Sequence, residues 1–210
     1  MKGDYMHEKI TWLGHASFRI DAEKLMFIDP WKLTAEAQAD IVLVSHSHYD
    51  HYSPDDIELV SGPDTVIVTV KELEDKFEDS TVHAMAQYDE ITVDGVKIFA
   101  PPAYNLNKAF HTLESGWIGF VIEAGGQRLY YAGDTDAIPE MQELKDIDVA
   151  LLPVGGTYTM TAEEAATAAN GFKPKVAIPY HYGDIVGEQN DAERFAELFE
   201  GETVILEPQH

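Results

Sequence analysis

Between Val42 and Pro54 the chain reads VLVSHSHYDHYSP, with His46, His48, Asp50 and His51 bunched directly behind an apolar run. Neutral imidazole and carboxylate oxygen form a ligand set suited to zinc, manganese or iron. In extended backbone alternate side chains share one side, so His46 and His48 are expected to converge on a single ion. Asp50 and His51 come where the backbone turns toward a helix, and the change of direction aims them at a second ion. A lone histidine is more often exposed or hydrogen-bonded than metal-ligating. Gathered at this spacing with an aspartate, these residues form a metal signature. The chain has no cysteine, which removes disulfides, thiolate ligands and thiolate nucleophiles from consideration.

A dinuclear centre needs more ligands than this stretch offers, and the ends of other apolar runs supply candidates. In RLYYAGDTD a run ends at Gly133 and Asp134, where the glycine permits close backbone approach and the carboxylate could bridge two ions. In KVAIPYHYGD another run ends at His181. Either alone is a weak signal, because aspartate and histidine at strand ends commonly cap helices or face water. Tyr104, Lys108, Tyr158 and Tyr182 flank these motifs and are candidate donors to a substrate or leaving group. A tyrosine beside a strand end more often simply packs its ring.

These side chains need strands that end in the right places. ADIVLVSH reads as a strand buried on both faces, and Ser53-Pro54-Asp55-Asp56 as a helix start with Ser53 as N-cap and Pro54 at the first helical position. The histidine cluster therefore lies in a strand-to-helix loop. KITWLGHASFRI, KLMFIDPW and TVIVTV read as further short strands, and KELEDKF as a short helix. Hairpins are expected at Asp94-Gly95 and Gly125-Gly126. From Ile138 onward, helices over 139–144, 161–170 and 191–199 alternate with strands over 149–152, 176–179 and 203–206. A strand-rich half followed by helix-strand alternation predicts two packed sheets with helices outside. Residues 1–210 are expected to form a single domain, for which 45% hydrophobic residues provide ample core.

The balance of 38 acidic against 14 basic residues leaves a net charge of -24. Such a field repels polyanions, so nucleic acid and anionic membranes are poor partners, although a bound cation can still attract a small anion locally. MKGDYMHEKI lacks an apolar leader and no run approaches the length of a membrane span, so a soluble, cytoplasmic protein is expected. Exposed strand edges leave self-association open.

SHSHYDH resembles the HxHxDH motif of the metallo-β-lactamase superfamily, FIDP its strand-end aspartate, YAGDTD its bridging-aspartate motif and PYHYG its last histidine, in the same order along the chain. TWLGHASFRI and LLPVGGTYTM look more narrowly like the lactonase-like, metal-dependent hydrolase branch, whose relatives include manganese-dependent sugar lactonases and a zinc phospholipase. The resemblance spans essentially the whole chain and implies an α+β fold, an αββα sandwich of two mixed sheets flanked by helices. It implies two divalent ions, zinc or manganese with iron admissible. His46 and His48 would hold the first, and Asp50, His51 and His181 the second, with Asp134 between them. Asp29 would act from behind, holding the ligand loop, and His15 belongs to a motif close to the metals, with a substrate contact or a purely structural bond to backbone as its two readings.

One position departs from the pattern. Where the family usually has a histidine after a proline-alanine strand end, FAPPAYNLNKAFH places Asn105, and His111 follows six residues later. Imidazole is the better ligand of the two, so His111 is expected to complete the first site. The resulting chemistry is hydrolysis of a small ester, lactone or phosphodiester by a metal-activated hydroxide. Asp50 would steer the proton, and His15 and Tyr104 would contact the substrate. The rival reading is a non-catalytic or mononuclear metal- or ligand-binding protein of the same fold. Basic exosites, a flavodoxin domain and a helical C-terminal domain, which mark other branches, are not seen in the sequence, leaving a small-molecule substrate as the expectation.

Overall fold

The computed structural model describes residues 5–77 and 80–209; the first four residues of the N-terminal stretch read above lie outside that range. In the first sheet β1 (Ile10–Gly14), β2 (Ser17–Asp21) and β3 (Leu25–Ile28) run antiparallel, and β4 (Ile41–Val44), β5 (Val66–Val70) and β6 (Thr81–Met85) extend it in parallel, in the order β1-β2-β3-β4-β5-β6. The second sheet begins with the antiparallel strands β7 (Glu90–Val93), β8 (Val96–Phe99), β9 (Phe120–Ala124) and β10 (Gln127–Tyr131). It continues in parallel through β11 (Val149–Pro153), β12 (Val176–Tyr180) and β13 (Glu202–Thr203).

Parallel neighbours need crossovers, and among the described residues half of them run through an α-helix: α1 (Pro54–Val60) after β4, α2 (Ala162–Phe172) after β11 and α3 (Gln189–Leu198) after β12. The αββα sandwich expected from the sequence is thus the observed fold. Strands β4, β11 and β12 are buried along their whole length, which is why they read as unbroken apolar runs rather than alternating ones. The edge strands β6 and β7 alternate exposed and covered residues instead.

Aromatic side chains join the sheets beneath the site. The Phe18 ring lies 5.4 Å from Tyr180 and 6.1 Å from Tyr131, and the two tyrosines stack at 5.2 Å. Each such fully buried ring contributes about 1.5–3 kcal/mol by leaving water. Their hydroxyls must still find partners, and both find them toward the centre: Tyr131 donates to Asp29 (2.6 Å) and Tyr180 to the Gly133 carbonyl (2.8 Å).

Helix starts follow their caps. Ser53 accepts from the Asp56 amide, and Thr161 and Glu164 form a reciprocal capping box ahead of α2. Glu188 and Asp191 do the same for α3, so that helix begins at Gln189, two residues before the expected Asp191. The stretches 71–76 and 139–143 are 3₁₀ turns rather than α-helices. The last strand is shorter than expected: only Glu202 and Thr203 pair with β12, after which Val204 makes a single bond to the Ala177 carbonyl.

Candidate metal centre

Open α/β sheets present ligands just beyond the carboxyl ends of their parallel strands, and this chain does so repeatedly. Asp29 follows β3, His46 follows β4 by two residues, Asp134 follows β10 by three, and His181 directly follows β12. His15 sits in the turn between β1 and β2. His15, Asp29 and His181 all have left-handed backbone, with φ of 48°, 44° and 64°. For non-glycine residues such backbone costs on the order of 1–3 kcal/mol each and recurs where function over-determines the geometry.

Two groups of ligating atoms result, each with its members within 4.8 Å of one another: His46, His48 and His111 in the first, and His15, Asp50, His51 and His181 in the second. His48 is not on an extended segment, as the alternation argument assumed; it lies in a turn closed by the His51 and Tyr52 amides donating to its carbonyl. The turn, not the strand pleat, brings it to His46, whose Nε2 lies 3.2 Å from His48 Nδ1. Asp134 stands between the groups, with Oδ1 3.3 Å from His51 Nε2 and Oδ2 3.2 Å from both His111 Nε2 and His181 Nε2.

Nε2 of His51, His111 and His181 and Oδ1 of Asp134 are all buried without a hydrogen-bond partner. An unsatisfied buried polar atom costs about 1–3 kcal/mol, and native interiors rarely tolerate several side by side. Lone pairs converging on shared points between imidazoles and a carboxylate are what a divalent cation requires, and the donor set fits such an ion.

Asp29 decides how two of these imidazoles are presented. Its fully buried carboxylate accepts from the Ser45 amide (2.7 Å), Ser45 Oγ (2.6 Å), His51 Nδ1 (2.7 Å) and Tyr131 Oη (2.6 Å). A carboxylate can only accept, so His51 carries its proton on Nδ1 and turns a bare Nε2 to the centre. Ser45 spends its proton on Asp29 and therefore accepts from His46 Nδ1 at 3.0 Å, leaving His46 Nε2 bare as well. Asp29, His46 and His51 also form a compact trio, but the carboxylate is already saturated by donors, consistent with orienting the ligands rather than joining them.

The electrostatics differ from ring to ring. Burial pushes the His46 and His48 imidazoles below their ordinary values, keeping them neutral. Burial alone would push Asp134 up, but the imidazoles of His181 and His51 outweigh it and hold the carboxyl well below the usual range. His51 goes the other way: burial opposes its charge, yet Asp134 and Asp29 raise it well above the ordinary value. Asp50 likewise overcomes its burial through a 3.0 Å bond from His15 Nε2, which holds it at about 2.

The flanking candidates divide. The Tyr104 hydroxyl donates to Glu140 (3.1 Å) and, after burial, this bond helps push it up to about 12. Lys108 is ion-paired with Asp136, Tyr158 sets its ring edge-on to Phe110 at 4.8 Å, and Tyr182 is buried against Trp12 at 4.9 Å. Asn105 turns its amide to His111, Asp136 and the Tyr158 carbonyl, so its polar atoms are spent on these partners. Sequence reasoning missed Trp117, whose ring lies within 4.7–5.4 Å of His46, His48 and His111 and whose Nε1 donates to Glu72 at 2.6 Å. It also missed Asp136 and Glu140; the only local signal was that they follow Asp134 in GDTDAIPE.

Comparison with known proteins identifies the family. The family described as Beta-lactamase superfamily domain matches residues 9–181. A UPF0173 metal-dependent hydrolase of Thermococcus onnurineus is 34% identical over 219 residues, covering 95% of this chain and 96% of that protein. Another from Pelotomaculum thermopropionicum is 35% identical, covering 93% of each. Among solved structures, a Parabacteroides distasonis protein described as a metal-dependent hydrolase is 34% identical with a TM-score of 0.83, over 95% of this chain and 93% of its own. Igni18, a metallo hydrolase of Ignicoccus hospitalis, is 25% identical with a TM-score of 0.80, over 96% of this chain and 95% of its own. Matched over nearly its whole length in both sequence and fold, the chain belongs to the metallo-β-lactamase superfamily and is one of its metal-dependent hydrolases.

Proposed function

We propose that this enzyme hydrolyses a small neutral ester or lactone carrying an apolar group, with two divalent ions, zinc or manganese and with iron admissible. His46, His48 and His111 would hold one ion, Asp50, His51 and His181 the other, and Asp134 would face both. The observation that carries this reading is the set of buried, unpartnered lone pairs around Asp134. Ions held there supply Lewis acidity toward a carbonyl oxygen and acidify water near neutral pH.

The chain's own residues do the rest. Asp29 keeps His46 and His51 with bare Nε2 atoms. His15 donates to Asp50 and so holds that carboxylate ionised and in place. Trp117 covers the three-histidine group and shields it from bulk water. Tyr104 retains its proton and shares it with Glu140, so any contact with substrate must draw the hydroxyl away from that carboxylate.

The surroundings favour a neutral substrate over a phosphodiester. Tyr49, between two ligand candidates, is 67% exposed, and Leu106, Phe110 and Leu113 in the His111 loop are 51%, 53% and 45% exposed. In a chain of charge -24 these exposed apolar groups occur in the segments that carry His48, Asp50 and His111. Lys32 and Lys108, two lysines of the site-bearing loops, are paired with Asp184 and Asp136, which offsets part of the positive charge a phosphate would meet. Purified protein reconstituted with zinc or manganese is expected to turn over aryl or acyl esters and lactones at least about tenfold faster than phosphodiesters. Preference for the phosphodiester would overturn the substrate assignment. One bound ion and no hydrolysis across the panel would favour the mononuclear or non-catalytic reading.

A further inference from the structure

His111 is carried by the long connection between β8 and β9 rather than by a strand end, so something must decide which of its ring nitrogens is bare. We propose that Asp136, acting through Asn105, is the positioning pair that does so: a relay of hydrogen-bond polarity that places the proton on His111 Nδ1 and leaves Nε2 free. The metal-centre reading above explains why that lone pair matters; the relay itself rests on geometry.

The Asn105 side chain is 7% exposed and all its capacity is used. Its Nδ2 donates to Asp136 Oδ1 (3.1 Å) and to the Tyr158 carbonyl (2.8 Å). Its Oδ1 accepts from the His111 amide (3.2 Å) and faces His111 Nδ1 at 3.0 Å. The direction of the amide is determined by its neighbours. A carboxylate and a main-chain carbonyl only accept, so the NH2 group must face them. Turned over, the amide would set oxygen against both acceptors and NH2 against the His111 N–H, leaving every one of those contacts repulsive. With Oδ1 held toward the ring, His111 Nδ1 must be the donor, and Nε2 is the nitrogen that faces Asp134 Oδ2 at 3.2 Å.

Asp136 is itself immobilised. The Leu106 amide donates to its Oδ2 at 2.9 Å, Lys108 Nζ pairs with its Oδ1, and the same ammonium donates to the Thr159 carbonyl at 3.0 Å. The Asn105 amide closes the loop on the His111 carbonyl at 2.6 Å. Asn105 thus stands where a ligand was looked for, and it supports a ligand instead. Carboxylates and amides behind a metal-ligating histidine commonly set its tautomer and are worth about 10–100-fold in metal affinity.

The test compares the full chain, stripped of metal, as wild type, Asn105→Leu and Asn105→Asp. Long-range proton–nitrogen correlation spectra of the imidazoles report the His111 tautomer directly, and a zinc titration against a chromophoric chelator reports affinity. The wild type is expected to carry the proton on Nδ1. Asn105→Asp keeps an acceptor toward the ring and should keep that tautomer, at a cost in melting temperature because its second oxygen meets Asp136 and the Tyr158 carbonyl, whereas Asn105→Leu should lose it and weaken the more labile zinc by about 10–100-fold. A wild-type His111 without a proton on Nδ1, or an unchanged Nδ1 proton in folded Asn105→Leu, would overturn the relay. Should Asn105→Leu fail to fold, Asp136→Asn serves in its place, with a mixed tautomer expected, and the wild-type spectrum alone still decides the proton's position. Absence of zinc binding by the wild type would remove the metal-centre reading while leaving the tautomer result to judge the relay.

Discussion

The two ligand groups are assembled by different means. His15, Asp50, His51 and His181 draw on strand ends and tight turns, with His15 and His181 locked in left-handed backbone and tied together by the His181 amide donating to the His15 carbonyl at 3.0 Å. His46, His48 and His111 are imidazole only, and His111 depends on a loop held by Asn105, Asp136 and Lys108. A ligand at a strand end inherits its position from sheet register, while a ligand on a loop needs a hydrogen-bond network to hold it. The second arrangement should be the easier to lose.

Asp134→Ala gives the largest break, because it removes the carboxylate facing both groups. We expect metal content to fall toward zero and hydrolysis to drop on the order of a thousandfold, since charge stabilisation of several kcal/mol is at stake. Elemental mass spectrometry and steady-state kinetics on the folded variant check both. His111→Ala tests the asymmetry itself: one ion should leave while the His51 and His181 ion stays. Loss of both ions in that variant would mean that the groups are not separable.

Asp29→Ala strikes both groups at once. By freeing the protons of His46 and His51 it should weaken each ion by about 10–100-fold. It should also lower the melting temperature, because Ser45, Tyr131 and His51 lose a buried acceptor. Equal weakening of both ions, read in a two-phase zinc titration, is the outcome that separates it from His111→Ala.

A pH series sharpens the comparison further. In the metal-free chain the raised His51 value means that its stabilising proton is fully present below the ordinary histidine value of about 6.5 and is lost as pH rises through the folded value. The depressed His46 and His48 values work oppositely, costing stability as pH falls below about 6.5. Added zinc replaces the lost His51 proton and meets less competition from protons as pH rises. The melting temperature should therefore rise more on zinc addition at about pH 8 than at about pH 6, as scanning calorimetry would show. The smallest effect is expected from Tyr104→Phe: with the hydroxyl engaged by Glu140, kcat/KM should change by less than about threefold. A loss of a hundredfold or more would instead make Tyr104 a donor to the reacting groups.

Much of the fold was legible because it is local. Unbroken apolar runs announced β4, β11 and β12, Asp94-Gly95 and Gly125-Gly126 announced the hairpins, and Ser53 and Thr161 announced helix starts. Strand β6 was not assigned from sequence, since Thr81–Met85 lies at the edge, half exposed, and takes its extended form from pairing with β5. The final strand was overextended for a related reason: apolar β-branched residues at 204 and 205 suggest a strand, but pairing with β12 stops at Thr203.

The sequence by itself determined that metal chemistry was intended: the histidine-aspartate cluster, the aspartate and histidine at distant strand ends, and the absence of thiols are properties of residue type and spacing. It also determined the layers, because hydrophobic periodicity is read residue by residue. Only the tertiary structure decided that Asn105 supports His111, that Asp136 orients Asn105, that Tyr104 is bound to Glu140 and that Trp117 covers three histidines. Those partners lie on different strands and loops, and hydrogen-bond polarity between them is defined only after packing has set distance and direction. Side-chain type can be read along a chain, whereas tautomer and orientation belong to the neighbours that folding supplies.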